Sequence, residues 1–97
     1  VIIRLVKMTF RMDAVQEFRA LFSERKERIR NFEGCTHLEL LEDKEKGNVY
    51  FTYSYWDNEK ALDKYRNSEL FKDTWKHTKA LFLEKAEAWT VERQAML

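Results

Sequence analysis

With 97 residues, 44% of them hydrophobic and 36% charged, the chain has enough material for one small folded domain, residues 1–97, and too little for two. Lysine plus arginine number 18 against 17 for aspartate plus glutamate, and a net charge of +1 excludes the concentrated basic surface that nucleic acid requires. No apolar run approaches a membrane span, the lone Cys35 excludes an internal disulfide, and Val1 to Arg4 lack the basic-then-apolar layout of a secretory signal; the expectation is a cytoplasmic protein.

Residues 1–10 alternate with apolar side chains in both sets: Val1, Ile3 and Leu5 in one, Ile2, Val6 and Met8 in the other. Such a strand is buried on both faces. Asp13 followed by Gln16 predicts a helix N-cap with its capping-box partner. The helix runs to about Phe32 on the stripe Ala14, Phe18, Leu21, Phe22 and Ile29. The segment from Ser23 to Arg28 is its solvated face, with Glu24 and Arg28 as an i,i+4 ion pair. Gly34 then stops the helix.

A second strand is predicted from Cys35 to Glu42 and a third from Val49 to Trp56, joined by a polar hairpin loop containing Gly47. The third strand again has large side chains in both sets: Val49, Phe51, Tyr53 and Tyr55 against Tyr50, Thr52, Ser54 and Trp56. Asn58 or Asp57 caps a short helix that buries Ala61, Leu62 and Tyr65. Ser68 caps another, with Glu69 beside its positive start and the stripe Phe71, Trp75, Thr78 and Phe82. A last strand begins near Glu87 and ends at Glu92. The order β-α-β-β-α-α-β with one central hairpin specifies an α+β fold, a ferredoxin-like split βαβ with an antiparallel four-stranded sheet. Helices cover one face only, so a second apolar face calls for a second copy of the chain, a homodimer through sheet faces.

Glu33 and Gly34 before the second strand, Trp56 closing the third, Ala61 and Leu62, and Ser68 through Phe71 together resemble the antibiotic-biosynthesis-monooxygenase-type domains. The resemblance covers nearly the whole chain. It implies a dimeric α+β barrel and, among the family's activities, cofactor-independent oxygenation of quinol- or phenol-type aromatics. That activity uses an apolar pocket between helices and sheet, with polar groups that orient and deprotonate the ligand. The haem-degrading relatives have a histidine where Trp75 stands, an asparagine at Ile3 and a tryptophan at Tyr65. His77 lies two residues past Trp75, roughly 200° around the helix. These departures count against haem. Other members often have a histidine at the position of Tyr65, and a phenol with a pKa of about 10 is a poorer base at neutral pH.

Each candidate residue has a structural alternative. His37 is either a general base, since imidazoles titrate near about pH 6.5, or an exposed or dimer-facing strand histidine. Tyr65 is either a catalytic phenol or core filling beside Leu62. Trp75 is the side chain best suited to stack on an aromatic ligand, and it also fits a helix core. Tyr53 either reaches a pocket or fills a sheet-to-sheet interface. Ile3 and Phe22 complete the expected ligand-binding set. His37 and His77 stand on separate elements without clustered acidic or thiol ligands, so no metal site is expected. Without a glycine-rich phosphate loop, no nucleotide cofactor is expected either. The rival to an enzyme is a non-catalytic small-molecule binder or a structural homodimer.

Overall fold

A computed structural model describes residues 1–97 and gives the order β1 (Ile2–Phe10), α1 (Val15–Arg30), β2 (Cys35–Glu42), β3 (Val49–Trp56), α2 (Glu59–Arg66), α3 (Glu69–Lys79) and β4 (Phe82–Glu92). The strands form one four-stranded antiparallel sheet in the order β2-β3-β1-β4. This is the α+β, ferredoxin-like arrangement expected from the element order.

The β1–β3 register runs unbroken from Ile2 opposite Trp56 to Thr9 opposite Val49. Because side chains alternate, that one register decides which residues meet the helices. Ile2 and Trp56 pack with Leu62 and Tyr65 of α2, and Val6 and Met8 pack with Phe18 of α1. Ile3, Leu5, Tyr53 and Tyr55 therefore point to the other, helix-free face. The helix-covered core is divided into two clusters. One centres on Phe10, Phe18 and Tyr50, the other on Trp56, Leu62 and Tyr65. Trp56 is fully buried and stacks on Tyr65 at 4.7 Å between ring centroids. Aromatic pairing of this kind adds about 0.5–1.5 kcal/mol beyond area burial.

Local chemistry sets the corners. Gly34 adopts φ +90°, and a Cβ there would lie 2.5 Å from Ala61 Cβ, so glycine is needed for both conformation and space. Asn58 Oδ1 accepts from the Ala61 amide at 2.8 Å, and Ser68 Oγ accepts from the Phe71 amide at 3.1 Å. Each satisfies one orphan amide at a helix start. In the β2–β3 hairpin the turn is held by Asp43, whose carboxylate accepts from the Glu45 and Lys46 amides.

Three expectations are corrected. Asp13 is not the cap of α1. It lies in a 3-10 turn over Met12–Ala14 and pairs with Arg11, and the helix starts at Val15 without a side-chain cap. Phe82 is not on α3, which ends at Lys79. Arg11 donates to the Ala80 carbonyl at 2.8 Å and its amide to Leu81 at 3.1 Å, tying the chain back to β1. Phe82 then pairs with Phe10 as the first residue of β4, well ahead of the expected start near Glu87. Its ring still joins the core, from a strand instead of a helix. Finally, the segment from Ser23 to Arg28 is not uniformly solvated. Arg25 is buried at the α1–α3 contact, donating to Thr74 Oγ1 at 2.9 Å and pairing with Asp73 at 2.9 Å. The Glu24–Arg28 pair is present at 3.8 Å on the outer side.

Candidate functional site

Where the two core clusters meet, the layer between sheet and helices is incompletely filled. A cavity of about 70 Å³ lies there, floored by Val6, Thr52 and Ser54 of the sheet and walled by Phe22, Tyr65 and Trp75 of the helices. It exists because β1 and β3 present small or polar side chains at Val6, Thr52 and Ser54 between the large residues Tyr50 and Trp56. Across it, Phe71 and Trp75 stack one helical turn apart, at 6.0 Å and 10° between planes, and Tyr65 meets Phe71 edge-on at 5.2 Å. The walls are apolar and flat, suited to a planar ring.

The polar groups are few. Ser54 Oγ accepts from Trp56 Nε1 at 3.0 Å, which leaves its own proton free to donate. Thr78 donates to the Thr74 carbonyl at 2.7 Å, and Thr74 Oγ1 is held by Arg25. Tyr65 is only 7% exposed, and burial pushes its phenol well above the usual tyrosine range, with Arg4 opposing the shift. At neutral pH the phenol is protonated and acts as a hydrogen-bond donor, not a base. Arg4 enters from β1 at the edge of the cavity, its guanidinium 5.8 Å from the Phe71 ring centroid. Arg4 and Tyr65 are the only titratable side chains on the lining.

Of the residues singled out in the sequence, Trp75, Tyr65 and Phe22 meet at this cavity. Ile3, Tyr53 and His37 do not. Ile3 pairs with Tyr55 and Tyr53 pairs with Leu5, so the pleat sends all of them to the helix-free face. His37 lies opposite Tyr55 on that same face, where its ring contacts Glu39 and packs 4.8 Å from the Tyr55 ring. The Tyr53 and Tyr55 hydroxyls are 3.3 Å apart, and Arg93 donates to Tyr55 at 3.0 Å. His77 is half exposed on the outer side of α3, with Nδ1 2.8 Å from the Asp73 carbonyl oxygen. No group of three or more His, Cys, Asp or Glu side chains could hold a metal ion. Burial raises the Cys35 thiol, which is thereby less prone to ionise. No helix is long and apolar enough to cross a membrane.

Arg4, Thr52, Ser54, Phe71 and Thr74 also line the cavity and were not selected from the sequence. The available signal was parity. Trp56 must pack on α2, so Ser54 and Thr52 share its face, as do Arg4 and Val6 across the ladder. A charge at position 4, flanked by Ile2, Ile3, Leu5 and Val6, is also conspicuous within such an apolar strand.

The sequence model described as antibiotic biosynthesis monooxygenase matches residues 1–76. A search of functionally curated proteins gave no significant match. Among solved structures, an antibiotic biosynthesis monooxygenase superposes with a TM-score of 0.92 at 16% identity, covering 98% of this chain and 100% of the other. A conserved protein from Methanosarcina mazei Go1 gives 0.90 at 23% identity, with 97% and 94% covered. A mutant of SnoaB, a cofactor-independent oxygenase from Streptomyces nogalater, gives 0.88 at 19% identity, with 99% and 95% covered. At these identities the superpositions establish the fold.

Proposed function

Because the chain belongs to the antibiotic biosynthesis monooxygenase family, we propose that it is a cofactor-independent monooxygenase of small quinol- or phenol-type aromatics, acting in the cytoplasm as a homodimer. The observation that carries this reading is the flat-walled cavity between Tyr65, Phe71 and Trp75, floored by the Ser54 and Thr52 hydroxyls. A planar ring slides against Trp75, while Tyr65 and Ser54 donate to its oxygens. Phe22 adds an apolar wall from α1. In an anthrone-like substrate the ionised ring transfers electrons to dioxygen. A carbon–oxygen bond forms at the activated methylene, the oxygen–oxygen bond breaks, and the methylene becomes a carbonyl. The second oxygen atom leaves as water with the two methylene hydrogens. The substrate supplies all four electrons, so no external reductant is consumed.

The helix-free face supports the dimer. Leu41, Trp89 and Val91 are 40%, 43% and 46% exposed there, beside Leu5, Phe51, Tyr53 and Tyr55. An apolar sheet face of this extent is covered most economically by its own copy. Ile3, Tyr53 and His37 then belong to the sheet-to-sheet contact, which favours the interface alternative for Tyr53 and His37.

A second reading, a non-catalytic binder of small aromatics, is favoured by a lining that holds no carboxylate and no imidazole to act as a base, and by a Tyr65 phenol that burial keeps protonated. At about 70 Å³ the cavity is smaller than the ligand pockets of about 300–1,000 Å³ typical of drug-sized molecules, which limits either occupant to a small ring system. Oxygen uptake with a panel of hydroquinones and anthrones separates the two. Consumption that falls in Trp75→Ala and in Tyr65→Phe supports the oxygenase. Saturable binding without consumption by any compound leaves the binder.

A further inference from the structure

Two arginines enter the helix–sheet layer, and they are treated differently. Arg25 is fully provided for by Asp73, Glu24 and Thr74. The Arg4 side chain is half-buried, yet its guanidinium takes part in no ion pair and no hydrogen bond of the chain; its one specific contact is the face of Phe71. Partial burial lowers its pKa, and neighbouring Arg66 lowers it further. A guanidinium stripped of part of its water and given no counter-charge is destabilising by itself, and it gains most from an incoming anion.

Its position is specific. Arg4, Phe71 and Trp75 line both the inner cavity and an adjoining surface groove, where Arg66, Asp63 and Asn67 form the other side. The cavity and this groove meet at the Phe71–Trp75 pair, with Arg4 beside it. Asp63 is partly answered by Arg66 at 3.9 Å, so this junction keeps a net positive character. The cavity lining holds no carboxylate and no imidazole.

We infer that the ligand of this cavity is an aromatic acid, bound as its anion, with the ring against Trp75 and the ionised oxygen received by Arg4. This rests on the cavity being a ligand site, and it adds the charge state of the occupant. The acidic oxygen is a carboxylate or an acidic ring hydroxyl; both present the same negatively charged oxygen to the guanidinium. Arg4 favours the ionised form by its charge, so no side-chain base is required at the site. Arg66 adds a weaker, more exposed attraction from the groove.

The test uses unreactive probes. 2-Naphthoate, 2-naphthamide and a dihalogenated, ionised 2-naphthol are titrated into the full chain, with tryptophan fluorescence and amide shifts around Trp75 as readouts. Both anions are expected to bind at least about tenfold tighter than the amide. That ratio collapses to about one in Arg4→Gln, is largely retained in Arg4→Lys, and falls a few-fold in Arg66→Gln. Arg93→Gln, on the opposite face, leaves it unchanged. Added salt weakens the anions and not the amide. Binding of both anions no tighter than the amide in the unaltered chain overturns the inference with no variant needed, and so does an unchanged ratio in a folded Arg4→Gln. Preference for only one of the two anions narrows the source of the charged oxygen and supports the inference. Failure of oxygen uptake removes the oxygenase reading but leaves these ratios standing. Turnover of a neutral quinol alongside equal probe affinities does the reverse.

Discussion

The two faces of the sheet are built from the same strands and solve opposite problems. Toward the helices, alternate residues of β1 and β3 run from large to small, and the mismatch leaves a cavity bounded by Trp75, Tyr65 and Phe71. Away from the helices the same strands carry Leu5, Phe51, Tyr53 and Tyr55, which with Trp89 of β4 form an apolar surface. One face is closed by its own chain and keeps a space within it. The other is not covered by any helix of the chain. What distinguishes them is not hydrophobicity, since both are apolar, but the parity of the few small and polar residues.

Adjacent positions on β1 test that contrast. Val6 is 4% exposed beneath α1, whereas Leu5 is half-buried on the open face. Val6→Asp places an unpaired carboxylate inside the core, and a loss of about 3–5 kcal/mol is expected. Chemical denaturation should show the protomer unfolded or nearly so. Leu5→Asp should leave the circular dichroism spectrum and the cavity intact while light scattering reports half the wild-type mass. If Leu5→Asp remains dimeric, the open face is not the interface.

A smaller effect separates conformation from space at the corner between α1 and β2. Gly34→Ala forces a left-handed alanine and a 2.5 Å approach to Ala61 Cβ, with an expected loss of about 1–3 kcal/mol in urea denaturation. Adding Ala61→Gly removes the collision but not the strained φ. The pair should show a coupling of at least about 0.5 kcal/mol. Strict additivity would mean that Ala61 moves aside freely.

The fold was legible because its signals are local. The bounds of β2 and β3 follow from alternation between turn residues, and Asn58 and Ser68 cap the helices that they were expected to cap. Signals that depend on distant partners were not legible. Phe82 continues the helical spacing of Phe71, Trp75 and Thr78, and only the link from Arg11 to the end of α3 shows that the chain has already turned. Arg25 looks solvated until Asp73 and Thr74 arrive from α3. The site was half legible for a related reason. Helical stripes identified Phe22, Tyr65 and Trp75, but a strand apolar in both sets does not declare which set faces the helices. Ile3 and Tyr53 were therefore selected where Arg4 and Ser54 line the cavity.

The smallest effect concerns the one tyrosine buried against the cavity. Burial holds the Tyr65 phenol above its unfolded value, so the folded chain keeps this proton after the unfolded chain has released it. Below about pH 10 both states are protonated and the shift has no effect on stability. As pH rises beyond about 10, the unfolded state gains by ionising, and stability falls with increasing pH. Tyr65→Phe removes the titration and keeps the ring that stacks on Trp56 and meets Phe71. The difference in melting temperature between wild type and Tyr65→Phe, followed from about pH 8 to about pH 11, should be flat at first and then move in favour of the phenylalanine variant. The exposed cations that also lose protons in this range are common to both proteins and cancel. A difference that stays flat to the alkaline limit would mean that Tyr65 ionises as readily in the folded chain as in the unfolded one. The cavity would then admit enough water to solvate a phenolate, at odds with a Tyr65 that is only 7% exposed.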